Sequence, residues 1–272
     1  MYRMIACDLD ETLLQTWDKK VSQKNREAIQ KAAERGVRFV VTTGRGYETV
    51  DGTLEEIGLK DKAGQYVISF NGGAITENAG HRLMHFEGIS FARAEELFAR
   101  GMTYDVGIHV YTKDTVYVYN LTENEQKFLQ GRMAIEPFDD RNLDFLKGQD
   151  IVKCLYVNTD FSYLKRIETE MADLISDMEV SFSSNRYIEF NKRGVNKGNG
   201  LRRLAELLDI DMADTIAVGD NYNDLSMIQA AGLGVGVANT VEEMKGECDY
   251  ITSATCDESA IAEVVEKFVL GE

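Results

Sequence analysis

Two carboxylates stand close together near the start of the chain. Asp8 and Asp10 directly follow the apolar run Arg3–Cys7, and the segment continues to Leu14 as Glu-Thr-Leu-Leu. Neighbouring carboxylates repel each other unless a cation or a shared proton relieves the charge. A turn in which aspartate only bonds its own backbone is the alternative. The position after a predicted strand favours a ligand site, because open α/β sheets bind ligands at the carboxyl ends of strands.

A second candidate segment, Val41–Arg45, ends the next predicted strand. Thr43 can offer a hydroxyl, and Gly44 allows backbone N–H groups to approach an anion closely. The helix predicted to follow would add its positive N-terminal end. Taken alone, these residues fit an ordinary strand-to-helix turn equally well.

Two further segments lie in the last third of the chain. Lys197 opens a predicted helix and suits either an anionic oxygen or a nucleophilic carboxylate, although most lysines are simply solvated. In the segment that begins at Gly219, Asp220 and Asp224 flank the amide of Asn223, which resembles an oxygen-rich site for a hard cation. A helix cap would explain one of these acids but not all three polar residues.

The elements that must position these residues follow a strand–helix rhythm at both ends of the chain. This alternation favours a parallel sheet with helices on both faces. The predicted strands are 3–7, 37–42, 66–70, 215–218 and 232–237. One predicted helix begins after Ser22, and others cover 47–57, 197–208, 223–231 and 257–269. A capping box formed by Thr240 and Glu243 predicts another helix after it.

The middle of the chain has a different pattern. A hairpin is predicted over Val106–Tyr119 with its turn at Lys113-Asp114, and strands at 151–157 and 179–182 flank a helix over 161–178. We therefore predict an α/β protein: a Rossmann-like, doubly wound parallel-sheet core formed by residues 1–80 and 186–272, with an inserted α+β domain at 81–185.

Composition excludes several classes of protein. The 272 residues include 30 Lys or Arg and 46 Asp or Glu, a net charge of −16, which argues against a nucleic-acid partner. No apolar run approaches the length of a membrane-spanning helix, and the N-terminus lacks a signal-peptide pattern. The four cysteines form no CxxC pair, which favours the cytoplasm. No feature indicates an obligate protein partner. His81 and His85 lie four residues apart, but without a third ligand they do not indicate a metal site.

Together the four segments resemble those of a haloacid dehalogenase superfamily phosphatase of the Cof type, with a C2 (type IIB) cap inserted between the second and third segments. The resemblance covers essentially the whole chain, and 69–73 and 187–190 also resemble family segments. In two places the chain departs from the family pattern. Gly46 stands where proline is common, which should loosen the helix start, and Thr240 stands where alanine is common.

The resemblance implies roles for individual residues. Asp8 would be the nucleophile that forms an aspartyl-phosphate, and Asp10 the general acid and then the base. The implied cofactor is Mg²⁺. Its implied ligands are Asp8, Asp10 through its backbone carbonyl, and Asp220, with Asp224 and Asn223 in or near the second coordination sphere. The implied phosphate-binding groups are Leu9 through its backbone, Thr43, Gly44, Lys197 and Asn223.

The implied function is Mg²⁺-dependent hydrolysis of small phosphomonoesters, such as sugar phosphates or related metabolites. Two alternatives stay open: a phosphomutase or phosphotransferase of the same fold, and a non-catalytic regulator that binds a phosphorylated ligand. A pure binding module has no need of a nucleophile and an acid together, which argues against the second. The cap would set specificity, but Glu87, Arg93, Tyr117 and Tyr119 carry no signal that assigns them to it.

Overall fold

The computed structural model describes residues 1–131 and 133–271. The chain divides into a core unit, made of Met1–Phe86 and the residues from Asn196 onward, and a cap unit, Glu87–Val195. These boundaries differ from the predicted ones by six and ten residues (86 − 80 and 195 − 185). The shifts arise because Arg82–Phe86 pairs within the core sheet, while Tyr187–Lys192 pairs within the cap sheet.

An eight-stranded sheet, parallel except at one edge, forms the centre of the core unit. The core strands are β1 (Met4–Asp8), β2 (Arg38–Thr42), β3 (Tyr66–Ser69), β4 (Ala74–Glu77), β5 (Arg82–Phe86), β12 (Thr215–Gly219), β13 (Leu233–Gly236) and β14 (Tyr250–Ile251). Their spatial order is β14-β13-β12-β1-β2-β3-β4-β5; β4 runs antiparallel to β3, and β5 runs antiparallel to β4. The predicted parallel sheet is confirmed, and the antiparallel edge was not predicted.

Strand register aligns the ends of the three central strands. β1 pairs in parallel with β2 on one side and with β12 on the other. Asp8 lies opposite Thr42, and Cys7 lies opposite Val218. Every residue of β1 is buried, as expected for a strand covered on both faces. The segments that follow β1, β2 and β12 therefore begin side by side at one edge of the sheet.

The core helices surround this sheet and bury their apolar faces. They are α1 (Gln23–Glu34), α2 (Asp51–Glu56), α7 (Lys197–Leu207), α8 (Leu225–Ala230), α9 (Glu242–Lys245) and α10 (Ala260–Val265), with 3-10 turns at Tyr47–Val50, Phe70–Gly72, Ala79–His81, Met212–Asp214, Tyr222–Asp224 and Cys256–Glu258 and a π-helical turn at Glu266–Leu270. The predicted start of α1 is confirmed, since the Ser22 hydroxyl accepts a hydrogen bond from the backbone N–H of Asn25 at 3.2 Å. Within residues 1–131 and 133–271, no helix is long and apolar enough to cross a membrane.

The predicted capping box at Thr240 is wrong. Helix α9 begins at Glu242, its N-cap is Val241, and no side chain caps it. The Thr240 hydroxyl instead donates to the carbonyl oxygen of Gly219 at 3.1 Å. A buried acceptor at the end of β12 satisfies this hydroxyl, so it is not available to the helix that follows.

The cap unit contains a six-stranded mixed sheet in the order β10-β11-β9-β6-β7-β8. The predicted hairpin is confirmed as β6 and β7. The cap strands are β6 (Gly107–Thr112), β7 (Val116–Tyr119), β8 (Glu136–Phe138), β9 (Ile151–Val157), β10 (Met178–Ser183) and β11 (Tyr187–Lys192), and the cap helices are α3 (Phe91–Gly101), α4 (Glu123–Leu129), α5 (Phe161–Glu170) and α6 (Ala172–Ile175), with a 3-10 turn at Asp144–Leu146.

Alternate residues of the cap strands form two contrasting sets. One set, which includes Ile108, Tyr156 and Phe190, joins α3 and α5 in an apolar core against which Tyr117 and Tyr119 pack. The intervening positions carry buried polar side chains: His109, Lys153, Glu189 and Asn191. The cap sheet therefore has one apolar face and one face with a buried polar cluster.

Candidate active site

A fully buried lysine lies at the centre of the candidate site. Lys197, the first residue of α7, has no exposed surface. Its Nζ donates to Oδ1 of Asp8, at the end of β1, and to Oδ1 of Asp224 at 2.6 Å. A buried ammonium is costly unless carboxylates pair with it. The lysine and the two aspartates therefore stabilise one another's charges, although 189 residues separate Asp8 from Lys197 along the chain.

Three buried carboxylates gather around this lysine. Oxygen atoms of Asp8, Asp220 and Asp224 all lie within 4.8 Å of one another. The hydroxyl of Thr12 donates to Oδ1 of Asp220 at 2.6 Å. One lysine offsets only one of the three charges. An all-oxygen donor set with excess negative charge fits a hard divalent cation such as Mg²⁺.

Asp224 is the most heavily engaged of the three acids. Its Oδ1 accepts from Lys197, and its Oδ2 accepts the backbone N–H groups of Asp220 and Asn221 at 3.0 and 3.1 Å. Asp224 therefore shapes the turn after β12 and orients the lysine. Asp8 and Asp220 retain more unshared oxygen lone pairs for a cation than Asp224 does.

Burial and mutual repulsion perturb the acidic groups. Burial, followed by the charge of Asp224, raises the pKa of Asp8 well above its usual range despite the opposing effect of Lys197. The same two causes raise the pKa of Asp220 to about 7. Burial alone would lower the pKa of Lys197, but the charges of Asp224 and Asp8 outweigh it and raise that pKa. The cluster thus holds more negative charge than its protein surroundings stabilise.

The segment after β2 supplies polar groups beside these acids. Thr43 is buried, and its Oγ accepts the backbone N–H of Arg45 at 3.1 Å. Its own N–H donates to the carbonyl of Ile68 at 2.9 Å. The bond from Arg45 leaves the hydroxyl hydrogen of Thr43 to donate to an anion. Gly44 lies between Thr43 and Arg45 in this turn.

Asp10 lies outside the group of three carboxylates. Its carboxylate forms a two-bond ion pair with the Arg45 guanidinium, in which Nε donates to Oδ2 at 2.9 Å. Two-bond pairs of this kind fix the orientation of a carboxylate. The role predicted for Asp10 in metal binding concerns its backbone carbonyl, so the carboxylate remains separate from that role.

No local sequence pattern assigns a role to Thr12, Arg45 or Asn71. Thr12 bonds Asp220, Arg45 bonds Asp10, and Oδ1 of Asn71 accepts from Nδ2 of Asn223 at 3.4 Å. Each lies in or near a segment with a chemical signal, but side-chain pairing between distant segments has no local pattern in the sequence.

Gly46 has a structural explanation. Its φ of −71° would suit the proline that is common at this position. A Cβ at Gly46 would, however, lie 3.0 Å from Cζ of Phe70. A larger residue at position 46 would therefore require the ring of Phe70 to shift by a few tenths of an ångström.

Comparisons with known proteins identify the family of this chain. The family model for haloacid dehalogenase-like hydrolases matches residues 5–265. The chain is 29% identical to the phosphatase YwpJ of Bacillus subtilis, covering 97% of this chain and 99% of that one. It is 27% identical to a 5-amino-6-(5-phospho-D-ribitylamino)uracil phosphatase of the same organism, with 99% of each covered. A solved haloacid dehalogenase-like hydrolase from Bacteroides thetaiotaomicron is 30% identical, with a TM-score of 0.82 over 98% of this chain and 99% of that chain.

Proposed function

The chain belongs to the haloacid dehalogenase-like hydrolases and is a phosphatase of small phosphorylated metabolites, and from this premise we propose a Mg²⁺-dependent reaction through a phosphorylated Asp8. The observation that carries the proposal is the buried contact of Lys197 with Asp8 inside an acidic cluster. A surface aspartate needs no such partner. A buried carboxylate held by a lysine, at the edge where three strands end, is suited to attack an electrophile.

The donor set supports a magnesium ion at this site. Asp8, Asp220 and the backbone carbonyl of Asp10 would hold the ion, with Asp224 at its margin. When bound, Mg²⁺ supplies positive charge that offsets both the carboxylates and a dianionic phosphate ester. The cluster needs this cation because Lys197 neutralises only one of the three buried acids.

The chain's own residues then account for two chemical steps. Asp10 acts in its protonated form, which requires that its carboxyl group first leave the ion pair with Arg45. An Asp8 oxygen attacks phosphorus, the bond from phosphorus to the ester oxygen breaks, and Asp10 gives its proton to the departing alkoxide. In the second step Asp10 takes a proton from water, water oxygen attacks phosphorus, and the bond between Asp8 and phosphorus breaks. Phosphate and the alcohol are released, and both aspartates return to their starting states.

Five groups are proposed to hold the phosphoryl oxygens during these steps. The hydroxyl of Thr43 and the ammonium of Lys197 donate from side chains, and the turn at Gly44 offers backbone N–H groups. The remaining two are the backbone of Leu9 and the amide of Asn223. These donors recognise the phosphoryl group, which every ester shares, so they do not select the alcohol.

The proposed substrates are sugar phosphates or related metabolites. A relative of this chain is named for a phosphorylated ribityl compound, which is a polyol ester of this general chemistry. A phosphomutase or phosphotransferase would use the same aspartyl-phosphate but pass it to an acceptor sugar instead of water. The full-length similarity to proteins named phosphatases favours hydrolysis.

A phosphate-release screen tests the proposal. Wild type and Asp8→Asn are assayed on a panel of phosphomonoesters with Mg²⁺ or with EDTA. Release that needs both Mg²⁺ and Asp8 is expected. Undiminished turnover by Asp8→Asn contradicts the assignment of the nucleophile. Formation of a new sugar phosphate on addition of an acceptor sugar, without release of inorganic phosphate, indicates phosphotransfer.

The proposed location is the cytoplasm. Cys7, Cys154, Cys248 and Cys256 are all free thiols. Unpaired cysteines are typical of proteins in reducing compartments. Fractionation of the native host with an antibody against this chain tests the location.

A further inference from the structure

The 3-10 turn Phe70–Gly72, here called the 70–72 loop, brackets the phosphate-binding turn. The backbone N–H of Asn71 donates to the carbonyl of Thr43, and that of Phe70 donates to the carbonyl of Arg45, both at 2.9 Å. These two bonds hold the residues on either side of Gly44. The conformation of the Gly44 turn therefore depends directly on the 70–72 loop.

The side chain of Asn71 reaches two of the segments proposed to bind phosphate. It is only 4% exposed, and a Cβ added to Gly44 would lie 3.1 Å from its Oδ1 and 3.4 Å from its Nδ2. The amide therefore packs directly over the glycine. The same Oδ1 atom accepts a hydrogen bond from Nδ2 of Asn223 at 3.4 Å.

The same loop also packs closely against the start of the helix that carries Lys197. A Cβ at Gly72 would lie 2.3 Å from the carbonyl oxygen of Asn196, and one at Gly200 would lie 2.9 Å from the Cα of Gly72. Only glycines allow this approach. The loop thus contacts the segments of Gly44, Asn223 and Lys197, which are distant from one another in the sequence.

The backbone of the loop adopts a conformation that most side chains avoid. Phe70 and Asn71 have φ values of 52° and 54°. Left-handed backbone is unfavourable for most residues other than glycine, and asparagine tolerates it better than most. Such conformations persist where surrounding contacts hold them in place and are common at functional sites.

We propose that Asn71 is a positioning residue for the phosphoryl group, fixing the Gly44 turn and the Asn223 amide together. This inference rests on the proposed function. Because the phosphoryl group is common to all substrates, loss of Asn71 lowers kcat/KM by the same factor for every ester, whereas a residue that selects the alcohol changes their ranking.

Two substitutions separate positioning of phosphate from support of the loop. Asn71→Asp keeps the shape, the tolerance of left-handed backbone and an oxygen that accepts from Asn223, but it adds a negative charge. Asn71→Gly keeps the backbone conformation and removes the side chain. For the glycine variant we expect kcat/KM to fall about 3- to 10-fold, the effect of one lost hydrogen bond. For the aspartate variant we expect roughly a further tenfold loss, since like charges repel.

The measurements are kcat/KM on three esters and the inhibition constant of inorganic phosphate with Mg²⁺, together with the unfolding temperature. Ser69→Ala is the matched control: Ser69 is buried beside the loop, and its hydroxyl bonds only the carbonyl of Ala74 among the contacts found in the described residues. Its kinetics should match wild type. Weaker phosphate inhibition in the order wild type, glycine, aspartate is the expected result.

Two results overturn the inference. In the first, Asn71→Asp has wild-type kinetics and phosphate inhibition, which makes the side chain a support of the loop alone. In the second, both variants change the ranking of the esters. If wild type hydrolyses no ester, the proposed function fails separately, and equal phosphate affinity of wild type and Asn71→Asp in calorimetry then overturns the inference by itself.

Discussion

The core unit and the cap unit each bury a group of charged side chains, but the two groups differ in balance. In the core unit, Lys197 is the only cation among the described residues that pairs with the cluster of Asp8, Asp220 and Asp224. Among the described residues of the cap unit, two buried cations are each paired with a carboxylate. Lys153 pairs with Glu189 at 2.5 Å, and Nε of Arg186 lies 3.4 Å from Oε2 of Glu125.

This difference in charge balance distinguishes a candidate active site from a cluster that only stabilises the fold. The cap acids are further satisfied by neutral hydroxyls: Tyr187 donates to Glu125 at 2.6 Å, and Ser183 donates to Glu189 at 2.5 Å. Pairing of this kind between buried acids, cations and hydroxyls stabilises one packing arrangement. The core group keeps an excess of negative charge, which a fold maintains only at a cost in stability and which a cation relieves.

The largest effect is expected for removal of the core cation. Lys197→Met leaves three buried carboxylates without a positive neighbour, so phosphate release should fall by at least about 10³-fold and the free energy of unfolding should fall by roughly 3–5 kcal/mol. Assays of turnover and denaturant unfolding measure both. Arg203→Met, on the exposed face of the same helix, is the control and should change stability by less than about 0.5 kcal/mol. A Lys197→Met enzyme with near-normal turnover contradicts the account of the core cluster.

The cap cluster should respond to the loss of one partner and recover when both are removed. Glu189→Gln leaves the Lys153 ammonium buried without its carboxylate, which should lower the free energy of unfolding by about 3 kcal/mol. The double variant Glu189→Gln/Lys153→Met removes both charges and should regain much of that loss. A double-mutant cycle by denaturant unfolding measures the coupling. Additive losses would show that the two residues do not compensate each other.

The pH dependence of stability should report the same cap cluster through His109. This histidine is fully buried, and its ring nitrogens lack hydrogen-bond partners among the described residues. Burial, followed by the charges of Lys153 and Arg186, lowers the pKa of His109 to about 3. Glu125 lies 3.6 Å away but already binds Tyr187 and Arg186, so it does not reverse the direction.

The sign follows from this lowered pKa. Between about pH 3 and pH 6.5 the unfolded chain holds a proton on His109 that the folded chain lacks, so stability falls as pH drops through that range. One such group contributes about 1.4 kcal/mol per pH unit, or roughly 2.7 kcal/mol between pH 6 and pH 4. Unfolding of wild type and His109→Gln over this range isolates the contribution. Equal slopes for the two proteins would show that His109 does not titrate in this way.

The fold could be predicted from the sequence because the signals for its strands and helices are local. Apolar runs such as Met4–Cys7 indicate buried strands, and Ser22 indicates the start of a helix. The prediction at Thr240 was wrong, because its pattern indicates a cap but its hydroxyl donates to an acceptor on β12. Strand β5 was not predicted, because half-exposed residues at a sheet edge have no clear periodicity.

The candidate site was also predictable from the sequence only in part. Asp8, Thr43, Lys197 and Asp220 lie at the ends of predicted elements, and parallel strands bring such ends together. The pairing of Arg45 with Asp10 depends on side-chain directions that no local pattern encodes. The cap's buried charges were equally invisible, since the chain separates Lys153 from Glu189 by 36 residues.

The most direct test of the charge comparison is the unfolding of the protein as a function of Mg²⁺ concentration. Wild type should gain on the order of 1–2 kcal/mol of stability once Mg²⁺ exceeds its dissociation constant. Asp220→Asn should gain none, and without Mg²⁺ it should be at least as stable as wild type because one repelling charge is gone. Asp209→Asn, which removes an exposed acid, should respond as wild type does. No stabilisation of wild type by Mg²⁺, or equal stabilisation of Asp220→Asn, would contradict the assignment of the core cluster as a metal site.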